Sequence, residues 1–185
     1  MDIHSEKIIV LDFGSQTTQL IARRIREQKV YSEIHPFSVS LDKIRELKPS
    51  GIILSGGPCS VYDADAPHSD PGLFDLGIPV LGICYGAQLM IQQMGGKVEK
   101  AEKREFGKAE LTVKYTAGLF AGLEMNGIKH QVWMSHGDRV EIVPDDFAAT
   151  AVSDNSPFAA LRHKHQPFFA VQFHPEVVHT LIGTD

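Results

Sequence analysis

Three short apolar runs, each closed by a turn and two of them leading straight into a helical pattern, constrain this chain most. Lys7-Ile8-Ile9-Val10-Leu11-Asp12, Gly51-Ile52-Ile53-Leu54-Ser55 and Val80-Leu81-Gly82-Ile83 are near-continuous rather than alternating. That is the mark of strands buried on both faces of a parallel sheet. After the first run, Phe13–Gln16 turns the chain, and Leu20, Ile21 and Ile25 form an apolar stripe opposite Arg23, Arg26 and Glu27. Ser15 or Thr17 is placed to cap that helix. Val30–Ile34 reads as another strand, Leu41–Leu47 as a short helix stopped before Pro49, and Asp70–Leu76 as the start of a further helix. Strand–helix alternation over roughly the first 95 residues predicts an α/β fold with a mostly parallel central sheet and helices on both faces.

The second half changes character. Lys108–Tyr115, Gln131–Met134, Arg139–Val143, Ala148–Val152, Phe158–Leu161 and Phe168–Phe173 are strand candidates with little helix between them. They predict hairpins, or a small mixed or antiparallel sheet added to the parallel core. No closing helix follows the last strand, so the expectation is either that the sequence is cut short or that a following domain is missing.

The run at Val80 continues as Cys84-Tyr85-Gly86-Ala87-Gln88, and the pattern Gly-x-Cys-x-Gly precedes the apolar-periodic Leu89, Met90, Ile91 and Met94. A strand turning sharply into a helix around a nucleophile is the elbow arrangement. Its glycines are needed where a Cβ would meet neighbouring backbone, and the first-turn amides of the helix favour a thiolate at the apex. A cysteine nucleophile needs a base, and the base an orienting group. His174-Pro175-Glu176 ends the last strand. On this reading Cys84 attacks, His174 carries the proton and Glu176 stabilises the imidazolium. The N–H of Tyr85, next to the nucleophile, and that of Gly57, in the bare Gly56-Gly57 turn, supply an oxyanion hole.

Composition narrows the class. The chain has 185 residues and a formal charge of −5 from 18 basic and 23 acidic side chains, which argues against a nucleic-acid surface. Arg23, Arg24 and Arg26 read as a solvated helix face. Two cysteines, Cys59 and Cys84, make no disulfide framework. A reducing, cytoplasmic setting is expected. Met1–Lys7 is charged and enters a strand, so no signal peptide is expected, and no apolar run approaches the roughly 20 residues that span a bilayer. Nine histidines invite a metal reading through His163 and His165, or His174, Glu176 and His179. The spacing is not that of two histidines one helical turn apart, so no metal is expected. Gly56-Gly57 lacks the Gly-Lys-Ser/Thr ending of a phosphate-binding loop. Cys59 is incidental on this reading, and Trp133 belongs to the core.

Taken together, Gly82–Gln88, the Gly56-Gly57 pair and Phe173–Glu176 resemble the class I (triad) glutamine amidotransferases. Leu11–Gln16, Ser55–Pro58, Arg104–Gly107, Trp133–Asp138 and His174–Thr180 are similar to the branch of that family that serves purine nucleotide synthesis. The resemblance covers essentially the whole chain as one amidotransferase domain, residues 1–185, and implies a flavodoxin-like fold. It implies that Cys84 attacks the side-chain amide of glutamine, releases ammonia and leaves a γ-glutamyl thioester that water hydrolyses. It also implies that Gln88 and the segment Ser135-His136 hold the glutamine. Ammonia would pass to a synthetase (ATP-pyrophosphatase) domain, fused in the natural protein, that uses ATP and magnesium to aminate xanthosine monophosphate. The full-length enzyme would be a homodimer. Arg104–Gly107 and Asp138 are expected on the face that meets the synthetase domain. Cys59 departs from the polar residue expected after Ser-Gly-Gly-Pro.

Overall fold

The computed structural model describes residues 6–123 and 128–184, with backbone alone at 102–104. The side chain of Arg104, and Met1–Ser5 at the start of the expected charged N-terminus, therefore lie outside the described residues.

The described residues form one nine-stranded sheet with three α-helices. In chain order the elements are β1 (Lys7–Asp12), α1 (Thr18–Glu27), β2 (Tyr31–Pro36), α2 (Leu41–Leu47), β3 (Gly51–Leu54), β4 (Val80–Ile83), α3 (Tyr85–Gln93), β5 (Lys97–Val113), β6 (Lys129–Ile142), β7 (Phe147–Ser153), β8 (Ala160–His163) and β9 (Phe168–Val171). The sheet order is β2-β1-β3-β4-β9-β8-β7-β5-β6. The pairs from β2 to β9 are parallel, and this half has the flavodoxin-like order. From β9 onward the described pairs are antiparallel. The strands of the second half thus continue the same sheet through β9.

Period-two alternation along β1 explains the two cores. Ile9 and Leu11 pack with Ile44 of α2 and Leu89 and Met90 of α3. Val10, between them, packs on the opposite face with Ile21 and Ala22 of α1. Covering both faces is what a parallel sheet of such apolar strands requires.

Three expectations need amendment. The helix expected at Asp70–Leu76 is a single 3₁₀ turn, Pro71–Asp75, capped by the Asp70 carboxylate accepting from the Gly72 N–H at 2.9 Å. Proline at its start, glycine next and Gly77 after it leave no room for a longer helix. β5 begins at Lys97, well before Lys108, because the charged run it crosses has no apolar alternation to announce a strand. β6 runs unbroken through Gly137, where two strands were expected. No described helix is long and apolar enough to cross a membrane.

Candidate active site

β4 and β9 are neighbours, with Ile83 opposite Val171, so residues just beyond their carboxyl ends meet. Ligands in such sheets sit at this edge. Cys84 follows Ile83, and its N–H donates to the Val171 carbonyl at 2.8 Å. Its backbone takes φ 52° and ψ −107°, a left-handed conformation that costs a non-glycine residue of order 1–3 kcal/mol. The flanks enforce it. A Cβ on Gly82 would lie 2.7 Å from Ala87 backbone, and one on Gly86 would lie 2.6 Å from Leu54 Cβ. Both glycines are therefore obligatory.

His174 lies three residues beyond β9. Its N–H donates to the Trp133 carbonyl at 2.9 Å, and its own carbonyl accepts the Thr180 hydroxyl at 2.6 Å. Its Nδ1 lies 2.8 Å from Glu176 Oε1. Cys84, His174 and Glu176 are 4%, 8% and 3% exposed, so the three meet out of water. Thr17 donates its hydroxyl to the same Glu176 oxygen at 2.7 Å, and Arg24 Nε donates to the Glu176 carbonyl at 3.0 Å. With a carboxylate on Nδ1, that nitrogen carries the proton, and Nε2 is left for the sulfur. Burial opposes a charged His174, but the Cys84 and Glu176 partners outweigh it and push its pKa up to about 10. His174 is imidazolium at neutral pH.

Thr17 occupies the cap position of α1, yet its side chain makes no cap bond. Its hydroxyl is spent on Glu176 instead, so the residue expected to begin a helix serves the site.

A pocket of about 450 Å³ opens at Cys84, and Gly57, Tyr85, Gln88, Ser135 and His136 line it. Among the described residues neither the Gly57 nor the Tyr85 N–H has an acceptor. A Cβ on Gly57 would lie 2.7 Å from the Phe13 carbonyl oxygen and 3.3 Å from Tyr85 Cγ, so the two amides sit on closely packed backbone. Tyr85 is fixed by its hydroxyl donating to the Pro67 carbonyl at 2.7 Å and by a tilted contact with Phe13 at 5.6 Å. Burial pushes its phenol well above the usual range. Gln88 Nε2 donates to the Asp138 carbonyl at 2.9 Å and to Gln172 Oε1 at 3.1 Å. The Ser135 carbonyl lies 3.6 Å from Cys84 Sγ. His136 reaches the pocket wall with both ring nitrogens engaged, Nδ1 with the Asp138 carbonyl at 2.8 Å and Nε2 with Glu105 at 3.1 Å.

Cys59 lines the same pocket and is a free thiol. Trp133 is half-buried rather than a core residue and stacks on His179 at 4.5 Å, because β6 turns its ring toward the segment after His174. His163 Nδ1 accepts the N–H groups of His165 and Gln166, which closes a turn.

Four further groups, to which the sequence assigns no part in the site, support it. Ser55, fully buried, accepts the Phe13 N–H at 3.0 Å and donates to the Gly56 carbonyl at 2.8 Å, pinning the loop after β3 to the loop after β1. Gln172 donates to Cys84 Sγ at 3.8 Å. Its signal was available, a lone polar residue inside the apolar run Phe168–Phe173. Thr17 and Glu105 carried no such signal, because their partners are distant in sequence.

The family described as "Glutamine amidotransferase class-I" matches residues 9–185. A GMP synthase (glutamine-hydrolysing) of Desulfotalea psychrophila is 74% identical over 185 residues, 100% of this chain and 36% of the relative. One from Heliobacterium modesticaldum is 56% identical over 180 residues, 97% of this chain and 34% of the relative. A solved structure from Thermoplasma acidophilum, provisionally described as belonging to a GMP synthase, superposes with TM-score 0.85 at 36% identity, covering 97% of this chain and 88% of that one. The chain spans about a third of the length of the curated relatives it matches. With that family model matched over residues 9–185, the chain belongs to the class-I glutamine amidotransferase family.

Proposed function

We propose that this chain is the glutaminase part of a GMP synthase. It hydrolyses glutamine and delivers ammonia to a synthetase (ATP-pyrophosphatase) domain, which uses ATP and magnesium to aminate xanthosine monophosphate to GMP in purine synthesis. The observation that carries the reading is His174, charged and pinned at 2.8 Å to Glu176, against a cysteine on a left-handed elbow. The identity to GMP synthases supports the pathway, and their greater length supports fusion to a synthetase domain. We place the enzyme in the cytoplasm as a homodimer.

The residues divide the chemistry as follows. Cys84 Sγ, beside the His174 imidazolium, attacks the glutamine side-chain carbonyl carbon, and the carbonyl oxygen takes the negative charge facing the Gly57 and Tyr85 N–H groups. His174 gives its proton to the departing nitrogen, the C–N bond breaks, and ammonia leaves a γ-glutamyl thioester. Water then adds, His174 taking its proton. Glutamate departs as the C–S bond breaks, which restores the starting pair. Gln88 and the Ser135-His136 segment hold the glutamine. Glu176 keeps the imidazole in one tautomer throughout.

The test is intact-mass analysis after treatment with 6-diazo-5-oxonorleucine, a reactive glutamine analogue. One adduct is expected, absent from Cys84→Ala. Labelling that persists in Cys84→Ala would place the nucleophile elsewhere.

A further inference from the structure

We propose that Glu105 is a positioning residue for glutamine, acting through a buried ion pair with His136 that holds the wall of the pocket in place. The inference rests on the reading of that pocket as the glutamine site. It begins from the ladder between β5 and β6. Lys100 pairs with Asp138, and the next pair is Glu105 with His136. Four residues of β5 therefore stand opposite Gly137 alone, and regular backbone pairing lapses beside Ser135–Asp138, the stretch that forms one wall of the pocket.

Side chains do the holding there. Glu105 and His136 expose 7% and 3% of their side chains, and Glu105 Oε2 lies 3.1 Å from His136 Nε2. The Ser153 hydroxyl donates to the second Glu105 oxygen at 3.3 Å. The two partners of the His136 ring are a main-chain carbonyl and a carboxylate, so both ring nitrogens are held. Burial raises the Glu105 carboxyl, but His136 and Ser153 outweigh it and hold it below its usual value. A pair satisfied on every side is rigid in a way that an exposed pair is not.

The pair reaches the nucleophile through a chain of buried hydrogen bonds. The Asp138 carbonyl that accepts His136 Nδ1 also accepts Gln88 Nε2 at 2.9 Å. Gln88 in turn donates to Gln172 at 3.1 Å, and Gln172 to Cys84 Sγ at 3.8 Å. The His174–Glu176 pair is held from the opposite side, by Thr17 and Arg24. Loosening Glu105 therefore disturbs where glutamine sits and leaves thiol activation intact.

Glu105→Gln preserves shape and removes the charge. The expected result is a KM for glutamine raised about tenfold, the scale of one charge-assisted hydrogen bond, with kcat little changed. The rate of 6-diazo-5-oxonorleucine labelling should fall with it, while alkylation of Cys84 by iodoacetamide, which needs no glutamine pocket, should not. The paired change Glu105→Leu with His136→Met removes both charges and strands neither. It should keep the melting temperature near wild type and still show the raised KM. An unchanged KM in Glu105→Gln, or a KM restored to wild type in the paired variant, overturns the proposal. Failure of the wild-type chain to take any glutamine-analogue adduct would overturn the glutamine reading itself, which the variants do not touch.

Discussion

His174 concentrates the chemistry of this site. Folding moves its pKa from the ordinary histidine value to about 10, against the effect of burial, through Cys84 and Glu176. A raised histidine pKa contributes stability that is fully present below the unfolded value, about 6.5, and is lost as pH rises through the folded one. The same shift sets the upper limb of the activity profile, where the imidazolium is lost. In Glu176→Gln one of the two partners that hold the charge is gone. The upper limb of kcat/KM against pH should move toward neutral, and a limb that stays in place would mean that Glu176 only orients the ring. The triad residues were legible in the sequence because each sits in a short, chemically unusual motif. Thr17 was not, because a hydroxyl in a turn before a helix reads as a cap, and only the return of Glu176 to that loop reveals its use.

At the scale of elements, the elbow depends on how closely α3 rides on β3. A Cβ at Gly86 would overlap Leu54, and the Gly86 N–H donates to the Ser55 carbonyl at 3.0 Å. Gly86→Ala gains helix propensity but must push β3 away, which costs about 1–3 kcal/mol as in other overpacked cores. Its urea midpoint should fall with the slope unchanged. Glutaminase should fall further than stability explains, because β3 leads to Gly57, the proposed oxyanion donor. An equal or higher midpoint would show that the strand yields freely. The parallel strands were legible because their apolar runs are short and uninterrupted. β5 and β6 were not read to their full lengths, since the charged run from Lys97 has no alternation, and its first residues, Lys97–Lys100, join the sheet through main-chain pairing.

Over the whole molecule, the sheet order brings the ends of β1, β3, β4 and β9 to one edge, while the antiparallel strands supply a wall from the other half of the chain. The surface is apolar in places. Phe106 lines the pocket at 65% exposure, and Val178 and Leu181, beyond Glu176, are 70% and 65% exposed. Such residues suit a surface covered by a partner, and a site completed by docking avoids hydrolysing glutamine without need. Glutaminase of this chain alone should be slow and should rise several-fold when a synthetase domain is added in trans. Activity that is full from the start and indifferent to that domain would instead mark a free-standing hydrolase.

The amino-acid sequence by itself determined the α/β class and the elbow glycines, and it singled out Cys84, His174 and Glu176 as the candidate nucleophile, base and carboxylate, because each follows from local sterics or from chemistry confined to a few residues. Tertiary structure alone decided that β9 lies beside β4, that Thr17 serves Glu176, and that Glu105 meets His136 under the pocket wall. Those contacts join residues far apart in the chain, and their energies come from burial and charge pairing that exist only once the sheet is assembled.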